Sequence, residues 1–313
     1  MDMRHLELLR ELADRGTITA VAAATHRTPS AVSQQLRAAQ RELGARLVEP
    51  AGRGLRLTDA GMLLADAAAG VAAAVEQAQA RWDEFRGEPA GVVSVASLPS
   101  AAAFLLPAVM RDLAETAIEL RCTDTDIAEA EYGGLTADHD VVVAHSLTSV
   151  RPAGTDGLTV VPLAREPLDI AMATRHPLAR RDVVRPADLV DCDWIGVPRG
   201  FPFDTVLQTV ARVTGAELRV TQRLRDNRLI EALVAAGDHV AVLPRFTTPT
   251  GAGLVLRELA DVASARHVSA VLRPDRAERL AVRHVVEAFR RAGAAAQAGR
   301  VPPPGFEPGL DRV

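Results

Sequence analysis

Residues 28–44 admit one local structure, a helix with two unlike faces. Thr28 offers an N-cap hydroxyl, and Pro29 fits the first helical position, where a missing N–H costs nothing. Gly44 suits the left-handed residue that closes a helix after Leu43. At about 100° per residue, Val32, Leu36, Ala39 and Leu43 fall on one side. Ser30, Ser33, Gln34, Arg37 and Arg41 fall on the other, with no carboxylate among them. A merely solvated face mixes signs so that i,i+4 partners can pair, and this one does not. Small hydroxyls, an amide and two guanidiniums match what the major groove presents: Gln can pair with adenine, Arg with guanine or phosphate, and Ser with either.

The neighbouring segments supply a frame for that helix. Leu6, Leu9, Leu12 and Ala13 recur at helical spacing before Gly16, and Ile18–Thr25 reads as a short Ala-rich helix behind Thr17. Arg46–Glu49 and Leu55–Leu57 alternate as a strand pair around Gly52-Arg53-Gly54. Together they form a winged helix-turn-helix plan. Charge follows the same division. Residues 1–58 hold nine arginines against six acids, a balance of +3, so the remainder carries −7 of the total of −4. Every basic residue is arginine. A basic end and an acidic body point to a polyanion met at one end.

Thr58 caps a long helix from Asp59 to Arg86, roughly 42 Å at 1.5 Å per residue. Leu64, Ala68, Val71, Val75, Ala78, Trp82 and Phe85 step by four and three, a heptad seam that either meets a partner helix or packs on its own domain. Gly87–Gly91 reads as a hinge. From Val92 strands and helices alternate, as in an α/β domain. Predicted strands are 92–96, 118–122, 141–144, 158–163, 168–173, 194–197, 218–222, 240–243 and 268–272; predicted helices are 100–114, 127–137, 204–214, 228–236 and 277–292. The stretches near 160–175 and 260 read as crossings between two lobes.

Other chemistries find little support. Aromatics make up 3% of the chain, few platforms for stacking single-stranded nucleic acid. Cys122 and Cys192, about seventy residues apart, form neither a disulfide scaffold nor a Cys-rich zinc site, and a redox sensor is a weak reading of them. The eight histidines lack metal-ligand spacing, so no metal is expected. No nucleophile elbow, P-loop or Gly-x-Gly-x-x-Gly follows a strand, so neither catalysis nor a cofactor is expected. No apolar run reaches the roughly 18 residues of a membrane span, and a cytoplasmic protein with no membrane partner is expected.

Thr28–Leu36, Glu42-Leu43-Gly44, Arg46-Leu47 and Leu57-Thr58-Asp59-Ala60-Gly61 together resemble the LysR-type transcriptional regulators. Leu106-Pro107, His176–Ala179, Asp188-Leu189, Val234–Gly237 and Val242-Leu243-Pro244 extend the resemblance over nearly the whole chain, more loosely. It implies an α+β multidomain protein: a winged helix-turn-helix (1–58), a linker helix that dimerises (59–87) and a two-lobed periplasmic-binding-protein-like effector domain (91–297). Lobe I would take about 91–161 and 265–297, lobe II about 162–264, and 298–313 would be a disordered Pro-rich tail. A homodimer, assembled further into a homotetramer, is the implied state. In two places the chain departs from the family pattern. Val48 and Pro50 stand where a Phe and an Arg are usual, and Ala39-Gln40 where Leu-Glu is. The departures predict a looser helix–wing junction and one basic contact fewer, with Arg46 or Arg53 to compensate.

By motif position the resemblance assigns DNA contacts to Thr28, Ser30, Ser33, Gln34 and Arg37 on the helix and Arg53 at the wing. Gln34 and Ser33 would reach base edges, Thr28 and Arg37 would hold phosphate, and Arg53 would approach the minor groove. Ser97-Leu98-Pro99-Ser100 joins a strand to a helix, and this junction reads two ways. It is a cradle for a carboxylate or phosphate, as the family's inducer cleft implies, or plain N-capping by Ser100. Arg199, Phe201, Phe203 and Asp226-Asn227 would face it from lobe II, with His145 from lobe I. The expected partners are double-stranded DNA and a small organic or amino-acid anion. Two alternatives stay open: a ligand-independent DNA-binding protein, and a two-lobed metabolite-binding enzyme with an N-terminal assembly domain.

Overall fold

The computed structural model describes residues 2–52, 54–87 and 89–299. Three helices open the chain, α1 (Met3–Arg15), α2 (Ile18–Ala24) and α3 (Pro29–Leu43). Side chains of Asp2, Thr17 and Thr28 cap them, and left-handed Gly16 and Gly44 close α1 and α3. The hairpin of β1 (Val48–Ala51) and β2 (Gly54–Leu57) is antiparallel, and Thr58 caps α4 (Asp59–Arg86). Leu9, Val21, Val32, Ala39 and Leu47 are fully buried in the core these elements share.

The helix–wing junction is closed rather than loose. Gln40 Oε1 accepts the Leu47 N–H at 2.9 Å, and the Thr58 N–H donates to the Leu47 carbonyl at 3.0 Å. A Cβ at Gly61 would overlap that same carbonyl oxygen, so α4 reaches its position because residue 61 has no side chain.

The C-terminal part begins with β3 (Ala90–Ser97), α5 (Pro99–Leu113), β4 (Ala117–Asp124), α6 (Tyr132–Leu135) and β5 (Val141–Ser146). Next come β6 (Thr159–Ala173), β7 (Val183–Val184), β8 (Asp193–Gly196), α7 (Asp204–Thr214), β9 (Arg219–Arg223) and α8 (Asn227–Ala236). The chain returns through β10 (Val240–Pro244), β11 (Leu254–Leu259), β12 (Ala265–Leu272), α9 (Pro274–Glu278) and α10 (Leu280–Gln297). Strand order is β4-β3-β5-β12-β6-β10-β8-β9, with β11 pairing β6 and β7. One core packs α5 and α10 on β3, β5 and β12; a second packs α7 and α8 on β6, β8 and β10. Two lobes result, and β6 belongs to both: its first part pairs β12, its last part β10 and β11.

Several elements differ from the sequence reading. The two strands expected over 158–173 are one 15-residue strand. Arg165-Glu166-Pro167 looks like a turn, but Glu166 faces inward to an arginine. The helix expected over 127–137 is a 3₁₀ turn (Glu129–Glu131) and the single turn of α6, because Gly133-Gly134 weakens a helix. Gly133 packs so closely that a Cβ would overlap the Gly154 carbonyl oxygen. The last helix is broken at Arg279, whose extended backbone separates α9 from α10 and whose Nη1 donates to Asp140 at 2.7 Å. β7 and β11 carry no clear alternation and were not expected.

The N-terminal module rests on lobe I. Arg10 Nη1 donates to Asp275 at 2.9 Å, Arg15 Nη1 to Asp138 at 2.8 Å, and Arg273 pairs with Asp14 at 2.9 Å. The heptad seam of α4 is divided between two environments. Ala68 is buried within the subunit, Leu64 and Val71 are half-buried, and Val75, Ala78, Trp82 and Phe85 are exposed. Trp82 and Phe85 stack on each other at 5.7 Å. Among the described residues no helix is long and apolar enough to cross a membrane. The tail expected over 298–313 lies, from residue 300, outside the described residues; Ala298 closes α10.

Candidate functional site

The outward face of α3 is open. Thr28, Ser30, Gln34, Arg37 and Arg41 are exposed and Ser33 half-buried, while Val32, Leu36 and Ala39 face the core. Thr28 Oγ1 accepts the Ala31 N–H at 3.2 Å and lies 3.0 Å from Ser30 Oγ, so the hydroxyl that starts the helix is shared with the polar stripe. Among the described residues no carboxylate pairs with Arg37 or Arg41. Guanidiniums left without a counter-ion on an exposed face suit phosphate. Arg46 instead turns back, its Nε donating to the Val48 carbonyl at 3.0 Å. The expected contact Arg53 lies outside the described residues.

A second candidate site lies between the lobes, in a cavity of about 570 Å³. Of the eight residues expected there, six line it: Ser100, His145, Phe201, Phe203, Asp226 and Asn227. Ser97 does not. It is buried at the end of β3, its hydroxyl turned to the Leu98 carbonyl and its own carbonyl accepting from Thr125. Arg199 is exposed outside the lining. Ser100 is not the N-cap of α5: Leu98 holds that position and caps with no side chain, so the helix starts uncapped and the Ser100 hydroxyl is free for other work. Asp226 does cap, accepting the N–H groups of Arg228 and Leu229 at the start of α8.

Arg266 lines the cavity and its partner Glu166 does not, and sequence reasoning missed both. Arg266 on β12 and Glu166 on β6 are direct cross-strand partners where the lobes join, and both are fully buried. Arg266 Nε donates to Glu166 at 2.7 Å, and Nη1 to Ser100 Oγ at 2.8 Å. Nη2 lies 2.5 Å from the same carboxylate oxygen but out of line for a hydrogen bond. The other Glu166 oxygen accepts the Phe246 N–H at 2.7 Å. Burial pushes the Glu166 carboxyl up, and Arg266 with the Phe246 N–H pulls against it. Two opposite charges taken out of water must compensate each other, and here they do so at the crossing of the lobes.

His145 completes the floor. Its ring meets Tyr132 edge-on at 6.0 Å and Phe203 at 5.8 Å, and its Nδ1 is 3.5 Å from Arg266 Nη1. Burial first, then the Arg266 charge, holds its pKa well below the ordinary histidine value. It is therefore a neutral ring. A guanidinium can only donate, so Nδ1 is the acceptor and the proton resides on Nε2. Phe203 also lies under Arg266, 5.4 Å from the guanidinium carbon.

Asp124, Asp126, Arg225, Arg228 and Glu231 ring the opening and were likewise missed. Arg225 stacks over Phe201 at 4.9 Å, and Arg228 donates to Glu231 at 3.0 Å. The cysteines lie elsewhere: Cys122 is exposed on β4, Cys192 is half-buried in lobe II, and burial pushes both thiols up, away from the reactive thiolate. Among the described residues no cluster of His, Cys, Asp and Glu is able to hold a metal.

Comparison with known proteins covers both sites. The model of the bacterial regulatory helix-turn-helix proteins of the lysR family matches residues 3–62, and that of the LysR substrate binding domain matches residues 86–294. The DNA-binding transcriptional dual regulator OxyR of Escherichia coli K12 is 26% identical over 249 residues, 80% of this chain and 81% of that protein. A full-length OxyR variant from Pseudomonas aeruginosa shares the fold with a TM-score of 0.60 at 18% identity, over 93% of this chain and 95% of that one. Full-length CbnR, solved in complex with its target DNA, does so with a TM-score of 0.53 at 22% identity, over 94% of this chain and 100% of that one.

Proposed function

The chain belongs to the LysR family of bacterial regulators, as a DNA-binding transcriptional regulator modulated by an effector held between two lobes, and on that premise we propose which residues do each part. The outward stripe of α3 enters the major groove. Gln34 and Ser33 read base edges, Thr28, Ser30 and Arg37 hold the phosphate backbone, and Arg53 approaches from the wing. The effector sits over the floor formed by Ser100, His145, Phe203 and Arg266, with Phe201, Asp226 and Asn227 on the lobe II wall. Residues 1–58, 59–87 and 91–297 are then the DNA-binding, linker and effector units, and action on DNA places the protein in the cytoplasm.

The observation that carries this reading is the exposed, carboxylate-free face of α3, whose Arg37 and Arg41 have no ion-pair partner among the described residues. Mobility-shift titration of the DNA upstream of the protein's own gene tests it. The logarithm of the binding constant is expected to fall steeply and linearly with the logarithm of salt concentration, and affinity indifferent to salt would refute the reading. The remaining apolar strip of α4 (Val75, Ala78, Trp82 and Phe85) supports a homodimer through a second copy of this helix, and a homotetramer beyond it. Trp82→Glu should lower the mass read by light scattering; an unchanged mass would move the interface elsewhere.

A further inference from the structure

We propose that Arg273 and Asp275 are positioning residues for DNA recognition: they hold α1 in a buried, charged seat on lobe I and so fix the direction in which α3 meets the groove. The inference rests on the reading of α3 above and adds to it what sets the angle of that helix.

The seat has one register. Arg273 and Asp275, at the start of α9, are only 6% and 5% exposed. Arg10 Nη1 donates to Asp275 at 2.9 Å, Arg273 Nε lies 3.4 Å from Asp275, and Arg273 Nη1 lies 2.9 Å from Asp14. The four charges alternate in sign from α1 to lobe I and back. At the rim Arg15 donates to Asp138 at 2.8 Å and to the Ala137 carbonyl at 2.9 Å. Exposed pairs of this kind would hold little, but a buried charge that loses its partner is costly. Arg10 and Asp14 are one helical turn apart, so a slip of α1 by one turn sets Asp14 against Asp275 or Arg10 against Arg273. Either slip brings like charges together in the interior.

Both sides of the seat are firm. Arg273 follows directly on β12, which is paired by β5 on one side and β6 on the other. Behind α9, Asp140 accepts Arg279 Nη1 at 2.7 Å and the Ser94 N–H at 2.9 Å, and lies 3.4 Å from Arg276. In the N-terminal module Leu9 and Leu12 of α1 share a core with Val32 and Leu36 of α3, so α3 turns wherever α1 is held. The basic end and the acidic body of the sequence therefore meet within the subunit. Arg10 and Arg15 are matched by acids of lobe I, whereas Arg37 and Arg41 have no such partner among the described residues. Part of the charge division orients the module, and the rest faces DNA.

A dimer of helix-turn-helix modules reads two half-sites at a set spacing, so a misdirected α3 shows as a fault in spacing. The full chain is titrated on the site mapped upstream of its own gene, on that site with its halves moved about one or two base pairs apart, and on one half alone. In Asp275→Asn, Arg273→Gln and Arg10→Gln, half-site affinity should stay within about twofold, while full-site affinity falls about tenfold or more. The penalty for altered spacing should shrink, with the mass read by light scattering unchanged. Arg10→Gln combined with Asp275→Asn should be no worse than the more affected single variant, because both break one contact. Retained half-site binding shows the module folded, so a loss confined to the full site is one of direction. Equal losses on half and full sites, or a fall in mass alongside the full-site loss, would overturn the proposal. Unchanged full-site affinity and spacing would also overturn it and leave the direction of the module to the packing of α4 along α9. Arg37→Ala tests the α3 reading separately: it should weaken both duplexes alike, and no effect on either would refute that reading rather than the seat.

Discussion

The outward face of α3 and the floor of the cleft are both polar surfaces organised by arginine, yet they are assembled in opposite ways. On α3, five side chains within twelve residues share a face because the backbone repeats every 3.6 residues, and their guanidiniums stand in water without partners. In the cleft, Arg266 meets a carboxylate 100 positions away and a serine 166 away, and both members of the charge pair are fully buried. The first surface tolerates changes of its own side chains because nothing in the fold depends on them. The second is part of the frame that joins the lobes, so binding and folding are carried by the same atoms.

Breaking the buried pair should therefore have the largest effect. Glu166→Leu leaves a guanidinium in the interior without its counter-charge, a loss of about 3–5 kcal/mol. Trp194, buried in lobe II, reports it by fluorescence during urea unfolding in a Trp82→Phe background. Glu166→Leu combined with Arg266→Met should recover most of the loss, since two apolar chains bury without a desolvation penalty. Equal losses in the single and double variants would show that the two charges do not depend on each other.

On α3 the corresponding changes should spare stability and alter DNA binding alone. Gln34→Ala should cost about 1–3 kcal/mol of discrimination between the preferred and a mismatched base. Arg37→Ala should weaken all sequences alike and lower the salt slope by about one. Mobility shifts on matched and mismatched duplexes at several salt concentrations read both. The same loss of discrimination in the two variants would break the division between base reading and phosphate holding.

How much was legible beforehand follows the same line. Thr28, Pro29 and Gly44 bracket a helix whose faces are read by counting, and the structure begins and ends α3 at those residues. The starts of α2 and α4 were equally local, side-chain caps at Thr17 and Thr58, whereas the Asp2 cap of α1 was not read. The lobes were visible as alternation of strand and helix. The cleft floor was not, because neither Arg266 nor Glu166 has a neighbour in sequence that marks it as buried. In a chain whose every basic residue is arginine, Arg266 looks like any other. Its signal was indirect: it sits inside Ala265–Leu272, a strand otherwise almost wholly buried, where a charge must have a partner. Ser97 was placed in the cleft with the whole Ser97–Ser100 junction, but it ends β3 inside the core, and the helix starts at Pro99, one residue before the expected 100.

The contact between the two regions gives a smaller effect. Arg273 reaches Asp14 of α1 at 2.9 Å, with the arginine buried and the aspartate partly exposed. Burial pushes the Asp14 carboxyl up, and Arg273 opposes it. Partial exposure screens the pair, so Arg273→Ala should cost about 1–2 kcal/mol, less than a fully buried pair. A double-mutant cycle with Asp14→Ala should return a coupling of roughly 1 kcal/mol. A coupling of zero would mean that this pair adds nothing to the junction, which the Arg10–Asp275 and Arg15–Asp138 pairs and the apolar contacts would then hold.

The smallest effect separates the regions by pH. Unfolded, His145 takes up a proton near its ordinary value of 6.5; folded, burial and Arg266 keep it neutral well below that. Between those two values the unfolded chain binds more protons, so stability falls as pH drops below about 6.5, by at most about 1.4 kcal/mol per pH unit. Glu166, Glu231 and Asp126 are pushed up by burial, bind protons more readily folded than unfolded, and act in the opposite sense. The difference between wild type and His145→Gln isolates the histidine. Urea midpoints measured from pH 7 to 5.5 should fall less steeply in His145→Gln, and parallel slopes would mean that the ring is protonated in the folded protein. α3 holds no histidine, and its guanidiniums stay charged throughout, so the same acidification should loosen the cleft while leaving the charge of the DNA-facing helix as it was.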